Sequence, residues 1–162
     1  MLTQSRLKEC LSYDPETGEF RALSTMGARQ AGSVAGSRHP KGYVSITVDG
    51  HRHLGHRLAW LYVYGVFPVG DTDHINGVKT DNRIANLREA TRSQNMANLG
   101  ALKNSKSGIR GVRFFPRTGR WVSEIRANGR SVHLGYFATA DAAAQAYREA
   151  ATRFHGEFAR AG

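Results

Sequence analysis

The stretch that decides the reading runs Asp73-His74-Ile75-Asn76-Gly77, continues through Asp81-Asn82-Arg83-Ile84-Ala85-Asn86-Leu87-Arg88, and ends at Ser93-Gln94-Asn95. Hard divalent cations prefer oxygen ligands. Asp73 offers a carboxylate and Asn95 an amide oxygen, a pair able to hold one ion while leaving positions open for water and phosphate. His74 stands beside the first of them, and its ordinary pKa suits proton abstraction near neutral pH. A metal ligand, an adjacent base and a basic chain are the minimum equipment for hydrolysing a phosphodiester. A lone Asp-His pair is commonplace surface chemistry. The spacing to Asn86 and Asn95, with the Asn76-Gly77 turn signal between, lifts it above that.

This pattern resembles the HNH endonucleases, in particular the phage and intron-encoded branch whose third signature residue is Asn. The resemblance covers residues 42–99 and implies a ββα-metal fold: a hairpin carrying Asp-His, an Asn after it, and a short helix bearing the last ligand. By match, Asp73 is the first metal ligand and His74 the general base. Asn86 braces the hairpin and holds the His, and Asn95 is the second metal ligand. The implied activity is a homing-type, metal-dependent DNA endonuclease. With two oxygen donors, Mg²⁺ is the expected ion.

Composition sets the partner. The 162 residues carry a formal charge of +10 and a sequence pI near 10.4, which favours a polyanion. The surplus is uneven: residues 101–162 hold 11 Lys/Arg against 4 Asp/Glu, and residues 1–100 hold 12 against 9. The single Cys10 excludes an internal disulfide and any Cys-based zinc cluster, in keeping with a reducing cytoplasm. No apolar run reaches the roughly 18 residues that span a bilayer, and no signal-peptide core is present. The expected partner is double-stranded DNA, with no membrane and no small-molecule cofactor, and a monomer is the default.

Outward from the motif, the chain reads as four segments: an N-terminal helix and hairpin segment (1–41), the nuclease-like part (42–99), a basic linker (100–107) and a C-terminal unit (108–162). Residues 3–11 predict a short helix with Leu7 and Leu11 on one face, followed by the Asp14–Gly18 turn. Residues 21–41 give a weak strand signal. Val44, Ile46 and Val48 alternate up to Asp49-Gly50, a two-residue hairpin turn. His56 to Tyr64 predicts a helix closed by Gly65, with Leu58, Leu61 and Tyr62 inward. Strands are predicted at 109–115, 120–127 and 130–136. A helix over 140–154 follows, capped by Thr139 and burying Ala143, Ala146, Tyr147, Ala150 and Phe154. The fold class is α+β.

The C-terminal part is similar to the ethylene-response-factor type DNA-binding domain of plant transcription factors. The match rests on Arg110-Gly111-Val112-Arg113, on Gly119 to Arg126, on Leu134-Gly135-Tyr136-Phe137 and on Ala142 to Tyr147. It implies a three-stranded antiparallel sheet packed on one helix, the sheet entering the major groove. Alternation along 120–126 agrees: Arg120, Glu124 and Arg126 share parity, whereas Trp121, Ser123 and Ile125 take the other face. Arg110, Arg113, Arg120, Glu124 and Arg126 are the DNA-facing candidates by this match. Phe114-Phe115-Pro116-Arg117-Thr118 and His133 depart from the plant pattern, so the plant domains' sequence preference does not transfer.

Other features take plainer readings. His51, His53 and His56 fit strand and helix-start positions better than a metal cluster, because nothing in their spacing makes them converge. Trp60, Tyr62 and Tyr64 fit core and groove wall rather than a base-stacking platform. Asn82 reads as a turn residue, and Arg83 as a phosphate contact. Lys103 and Lys106 fit a linker that follows phosphate between two DNA-facing units. Two other classes remain beside a strand-nicking enzyme: a DNA-binding regulator with a vestigial nuclease motif, and an RNA-binding sheet. The Arg/Glu alternation, in place of exposed stacked aromatics, disfavours the last.

Overall fold

The computed structural model describes residues 1–25, 29–99, 107–127 and 129–159. The chain is α+β and divides into two compact units, Met1–Ala90 and Thr91–Gly162. Lys103 and Lys106, with most of the predicted linker, lie outside the described residues.

In the first unit, helix α1 (Gln4–Cys10) starts where the Thr3 hydroxyl accepts the Arg6 amide. It ends one residue earlier than the periodicity predicts, because Leu11 is already extended and opens strand β1 (Leu11–Tyr13). β1 pairs with β2 (Phe20–Ala22) across the Asp14–Gly18 turn, so Leu7 reaches the interior from a helix and Leu11 from a strand. Strands β3 (Ser37–Arg38), β4 (Val44–Val48) and β5 (His51–Leu54) form an antiparallel sheet. The β4–β5 turn has positive φ at both Asp49 and Gly50, as a type I′ turn requires. Helix α2 (Gly55–Tyr64) follows directly and stops at Gly65 in the left-handed conformation.

One core joins these elements. Leu7, Leu11, Phe20, Ile46, Leu58, Leu61 and Leu87 are all buried in it. Tyr62 is only half-buried, its ring packing near Tyr13 and Phe20. Leu87 opens β7 (Leu87–Ala90), which pairs antiparallel with β6 (Asp71–His74), and a single 3₁₀ turn at Ile84–Asn86 leads into β7. Anchoring Leu87 in the core fixes the register of the whole hairpin, since a one-residue slip would turn it outward.

In the second unit, helix α3 (Arg92–Ala97) begins with a capping box between Thr91 and Gln94. β8 (Val112–Phe115), β9 (Arg120–Ala127) and β10 (Arg130–Phe137) form an antiparallel sheet in the order β10-β9-β8. Helix α4 (Ala140–His155), capped by Thr139, packs on it. β8 starts later than predicted because Gly111 has a φ of 69°, which breaks the extended run. A side chain there would also collide with the Tyr147 ring and the Glu124 carbonyl. Such close approach explains the helix face as well. The buried stripe is Ala143, Ala144, Tyr147, Ala150 and Ala151, whereas Ala146 is half-buried and Phe154 is exposed. Small side chains let the helix lie close to the sheet. The expected Phe154 would have held it away.

Candidate active site and nucleic-acid interface

β6 ends on Asp73 and His74, facing Arg88 and Leu87 of β7 respectively across the ladder. Both Asp73 and His74 are 4% exposed. A buried carboxylate needs a partner, and Arg88 provides it: Nε and Nη2 lie 2.9 and 2.8 Å from Asp73 Oδ2. His74 Nε2 lies 3.3 Å from Asn82 Oδ1. The imidazole is flanked by Tyr43, with ring centroids 6.0 Å apart, and by His56, edge-on at 5.0 Å. Burial holds His74 below the ordinary histidine value, although the Asn82 hydrogen bond and the Asp73 charge pull the other way. Burial, reinforced by His74 and Arg57, pushes His56 down to about 3. The net direction favours the neutral imidazole, the form able to accept a proton.

The loop between β6 and β7 is tied internally. Asn86 Oδ1 accepts the Asn76 amide at 3.0 Å, and its Nδ2 donates to Asn76 Oδ1 at 3.0 Å and to the Asp81 carbonyl at 2.9 Å. Arg83 donates to both Asp81 oxygens at 2.8 and 2.6 Å, and this hydrogen bonding holds the Asp81 carboxyl well below the usual range. Asn86 thus ties Asn76 to the Asp81 carbonyl, and Asn82 Oδ1 lies against His74. Asn82 is 2% exposed, not a solvent-facing turn residue. Its sequence signal is indistinguishable from turn chemistry, because a buried and an exposed Asn look alike between Asp and Arg. Arg83 is half-exposed and engaged with Asp81.

In the second unit, Val112, Trp121 and Ile125 pack on the α4 side of the sheet. Alternation therefore puts Arg113, Arg120, Glu124 and Arg126 on the open face. Arg113, Arg120 and Arg126 are exposed there. Arg113 pairs with Glu124 at 3.2 Å, and His133 Nδ1 is 3.8 Å from the same carboxylate. The face is not purely charged: Val122, 1% exposed, sits between Arg113 and Tyr136 in the ladder. Arg110 is placed differently. Its guanidinium donates to the carbonyls of Met96 (2.6 Å), Ala97 (3.0 Å) and Leu99, at the C-terminal end of α3.

Two family matches coincide with these two constellations. Residues 53–97 match the HNH endonuclease family, and residues 107–157 match the AP2 domain. The chain joins an HNH endonuclease domain to an AP2 domain. Among relatives, 54 residues are 52% identical to the AP2-like ethylene-responsive transcription factor TOE2 of Arabidopsis thaliana, covering 33% of this chain and 11% of that protein. Over 68 residues the chain is 50% identical to dehydration-responsive element-binding protein 2A of Oryza sativa subsp. japonica, covering 40% of this chain and 24% of that one. The chain thus spans no more than a quarter of the length of these plant proteins. Protein 3.8 of Escherichia phage T7 is 28% identical over 106 residues, 65% of this chain and 87% of that protein. A solved structure described as DNA binding and cleavage by the HNH homing endonuclease I-HmuI shares 23% identity at a TM-score of 0.42, covering 55% of this chain and 51% of that one.

Enzymes with an HNH domain generally use a divalent metal. Among the described residues no group of three or more His, Cys, Asp or Glu could hold one. Mg²⁺ keeps several waters and binds through one or two side-chain oxygens plus substrate phosphate. Asp73 carries a side-chain oxygen of that kind within the residues that match the HNH family. Asn95 lies on α3, within the second compact unit, and its pairing with Asp73 rests on sequence spacing. The three histidines read as strand and helix-start residues have separate surroundings: His53 stacks near Phe67, His51 Nδ1 contacts the Asp49 carbonyl, and His56 packs on His74. No helix among the described residues is long and apolar enough to cross a membrane.

Proposed function

We propose that this protein is a DNA endonuclease that nicks duplex DNA as a monomer, with His74 as general base. The observation that carries the reading is the buried His74, held between Asn82, Tyr43 and His56 beside the Asp73–Arg88 pair. His74 takes a proton from the water that attacks the scissile phosphorus, and the surrounding rings keep bulk water away from the imidazole. Asp73, with Asn95 assigned by the HNH pattern, would hold the cation. When bound, Mg²⁺ would neutralise charge on the phosphate and the departing 3′ oxygen. Asn86 keeps the loop in shape.

The AP2 sheet docks the duplex. Arg113, Arg120 and Arg126 supply phosphate or guanine contacts, and Glu124 suits the cytosine amine. The basic surplus of residues 101–162 adds affinity through counterion release. A regulator reading also has support, since one plant relative named above is a transcription factor. Plasmid nicking separates the two. Wild-type protein with Mg²⁺ is expected to leave 5′-phosphate and 3′-hydroxyl ends, and His74→Ala to lose about 10²–10⁴-fold in rate with DNA affinity retained. Supercoiled plasmid left intact by the wild-type chain would favour the regulator.

A further inference from the structure

We propose that Asn82 is the positioning residue for His74: its side-chain oxygen holds the ring by Nε2 and leaves the lone pair on Nδ1 as the proton acceptor. This rests on the nuclease reading above. An amide oxygen only accepts hydrogen bonds, so the 3.3 Å contact from His74 Nε2 to Asn82 Oδ1 requires the proton on Nε2. In a neutral imidazole the other nitrogen is then the base. The Tyr43 and His56 rings pack against the imidazole but cannot by themselves choose between its two flipped orientations. A directed hydrogen bond can.

Asn82 is itself immobilised from three directions. Its backbone carbonyl accepts the Tyr13 hydroxyl at 2.7 Å. Gly18 lies against the Asn82–Arg83 backbone so closely that a Cβ there would be 2.5 Å from the Arg83 nitrogen. On the side-chain face, a Cβ at Gly55 would be 2.8 Å from Asn82 Nδ2. The N-terminal hairpin and the start of α2 thus clamp a loop residue that touches the base. This gives the segment before residue 42 a role in the chemistry. Side chains that orient a reactive His in this way usually matter by about 10–100-fold.

The test uses the full chain with Asn82→Leu, Asn82→Asp, His74→Ala and the Asn82→Leu/His74→Ala double variant. Single-turnover nicking at saturating duplex and Mg²⁺ should fall about 10–100-fold in Asn82→Leu, with the duplex Kd unchanged. Asn82→Asp keeps an acceptor oxygen and should recover most of the rate. In the His74→Ala background, Asn82→Leu should cost nothing further, because a residue acting through the base has nothing left to position. Ring ¹⁵N spectra without metal or DNA, with His74 assigned by nuclear Overhauser contacts to the Tyr43 and His56 rings, should show the Nε2–H tautomer in the wild type and a mixture in Asn82→Leu. The wild-type spectrum does not depend on any variant folding. An Nδ1–H tautomer in that spectrum would overturn the proposal. So would a full nicking rate in Asn82→Leu, or an equal loss in both backgrounds. A wild-type protein that never nicks would sink the nuclease reading, and the spectrum would still decide whether Asn82 holds His74.

Discussion

Arg88→Met should destabilise the first unit by about 3 kcal/mol. Both members of the pair are almost out of water, the Arg88 and Asp73 side chains being 14% and 5% exposed, so solvent screening cannot absorb the loss as it does for surface pairs. Removing the guanidinium leaves a buried carboxylate without its cation, a change that costs about 3–5 kcal/mol. The lower figure applies because Met fills most of the vacated volume. For a unit of this size, about 4–8 °C of melting temperature accompanies each kcal/mol, so the midpoint should drop by roughly 12–24 °C. Trp60 fluorescence in a Trp121→Phe background would follow that unit alone. Asp73→Leu/Arg88→Met should regain most of the loss, since replacing both ions with apolar groups is often neutral. Mg²⁺ should raise the midpoint of Arg88→Met, by about 2.7 kcal/mol at a hundredfold excess over Kd, and leave the double variant unmoved. A drop under about 1 kcal/mol in Arg88→Met, or a double variant as unstable as the single, would refute this account of the pair.

Three other expectations are independent of that pair. The folded-state pKa of His56, about 3, lies below its unfolded value of 6.5, so the unfolded chain binds the extra proton between those values. Stability is therefore complete above about pH 6.5 and is lost as pH falls, by up to roughly 1 kcal/mol per unit; urea titrations of His56→Leu should show a shallower decline, and an identical slope would contradict the burial argument. Arg110→Ala should speed hydrogen exchange at Met96 to Leu99 while leaving the salt dependence of duplex binding unchanged, whereas a slope reduced by about 0.9 would make Arg110 a phosphate contact instead. Arg113→Ala with Arg126→Ala should reduce that slope and blur cut-site preference, and retention of both would move DNA recognition off the open face.

Legibility followed the kind of signal each element carried. Strands β4 and β5 were readable from alternation and an Asp-Gly turn, and α2 from its apolar spacing and Gly65, because local chemistry and tertiary burial agree there. The Asp73-His74 hairpin was readable because its spacing is tied to chemistry. What escaped depended on long-range contact. Leu11 fits a helix by periodicity, yet pairing with Ala22 makes it a strand residue. Nothing local distinguishes Phe154 from Ala151 as the buried member of α4, since the choice is made by how closely the helix meets the sheet. The same holds for Asn82 and Arg110. Asn82 was read from its neighbours in sequence and Arg110 from the family match, and the contacts each makes, to Tyr13 and to the end of α3, lie elsewhere along the chain.

The hairpin's energetics bear on the choice between an active nuclease and a regulator with a decayed site. Asp73, His74 and Asn82 are all nearly excluded from water, and His56 beside them buries an Nδ1 with no hydrogen-bond partner among the described residues. Each such group costs desolvation that a well-packed Leu or Met would avoid. A hairpin needed only to support a DNA-binding sheet would be at least as stable with apolar residues in those places. Here the polar groups are arranged in register: Asp73 opposite Arg88 on the ladder, His74 on Asn82, and Asn86 bridging Asn76 and Asp81. Each ties down a neighbour that would otherwise wander, and His56 Nδ1, one of four buried side-chain atoms without a hydrogen-bond partner among the described residues, lies on the ring packed edge-on against His74. Buried polar groups paired in register around one imidazole, at positions that apolar residues could fill, are what a site kept for proton transfer would retain. A decaying site would have no reason to keep those polar groups buried. On that ground catalysis is the stronger reading, and His56→Leu becomes informative twice over: it should stabilise the unit in acid, and it should change the nicking rate only by loosening the packing around His74.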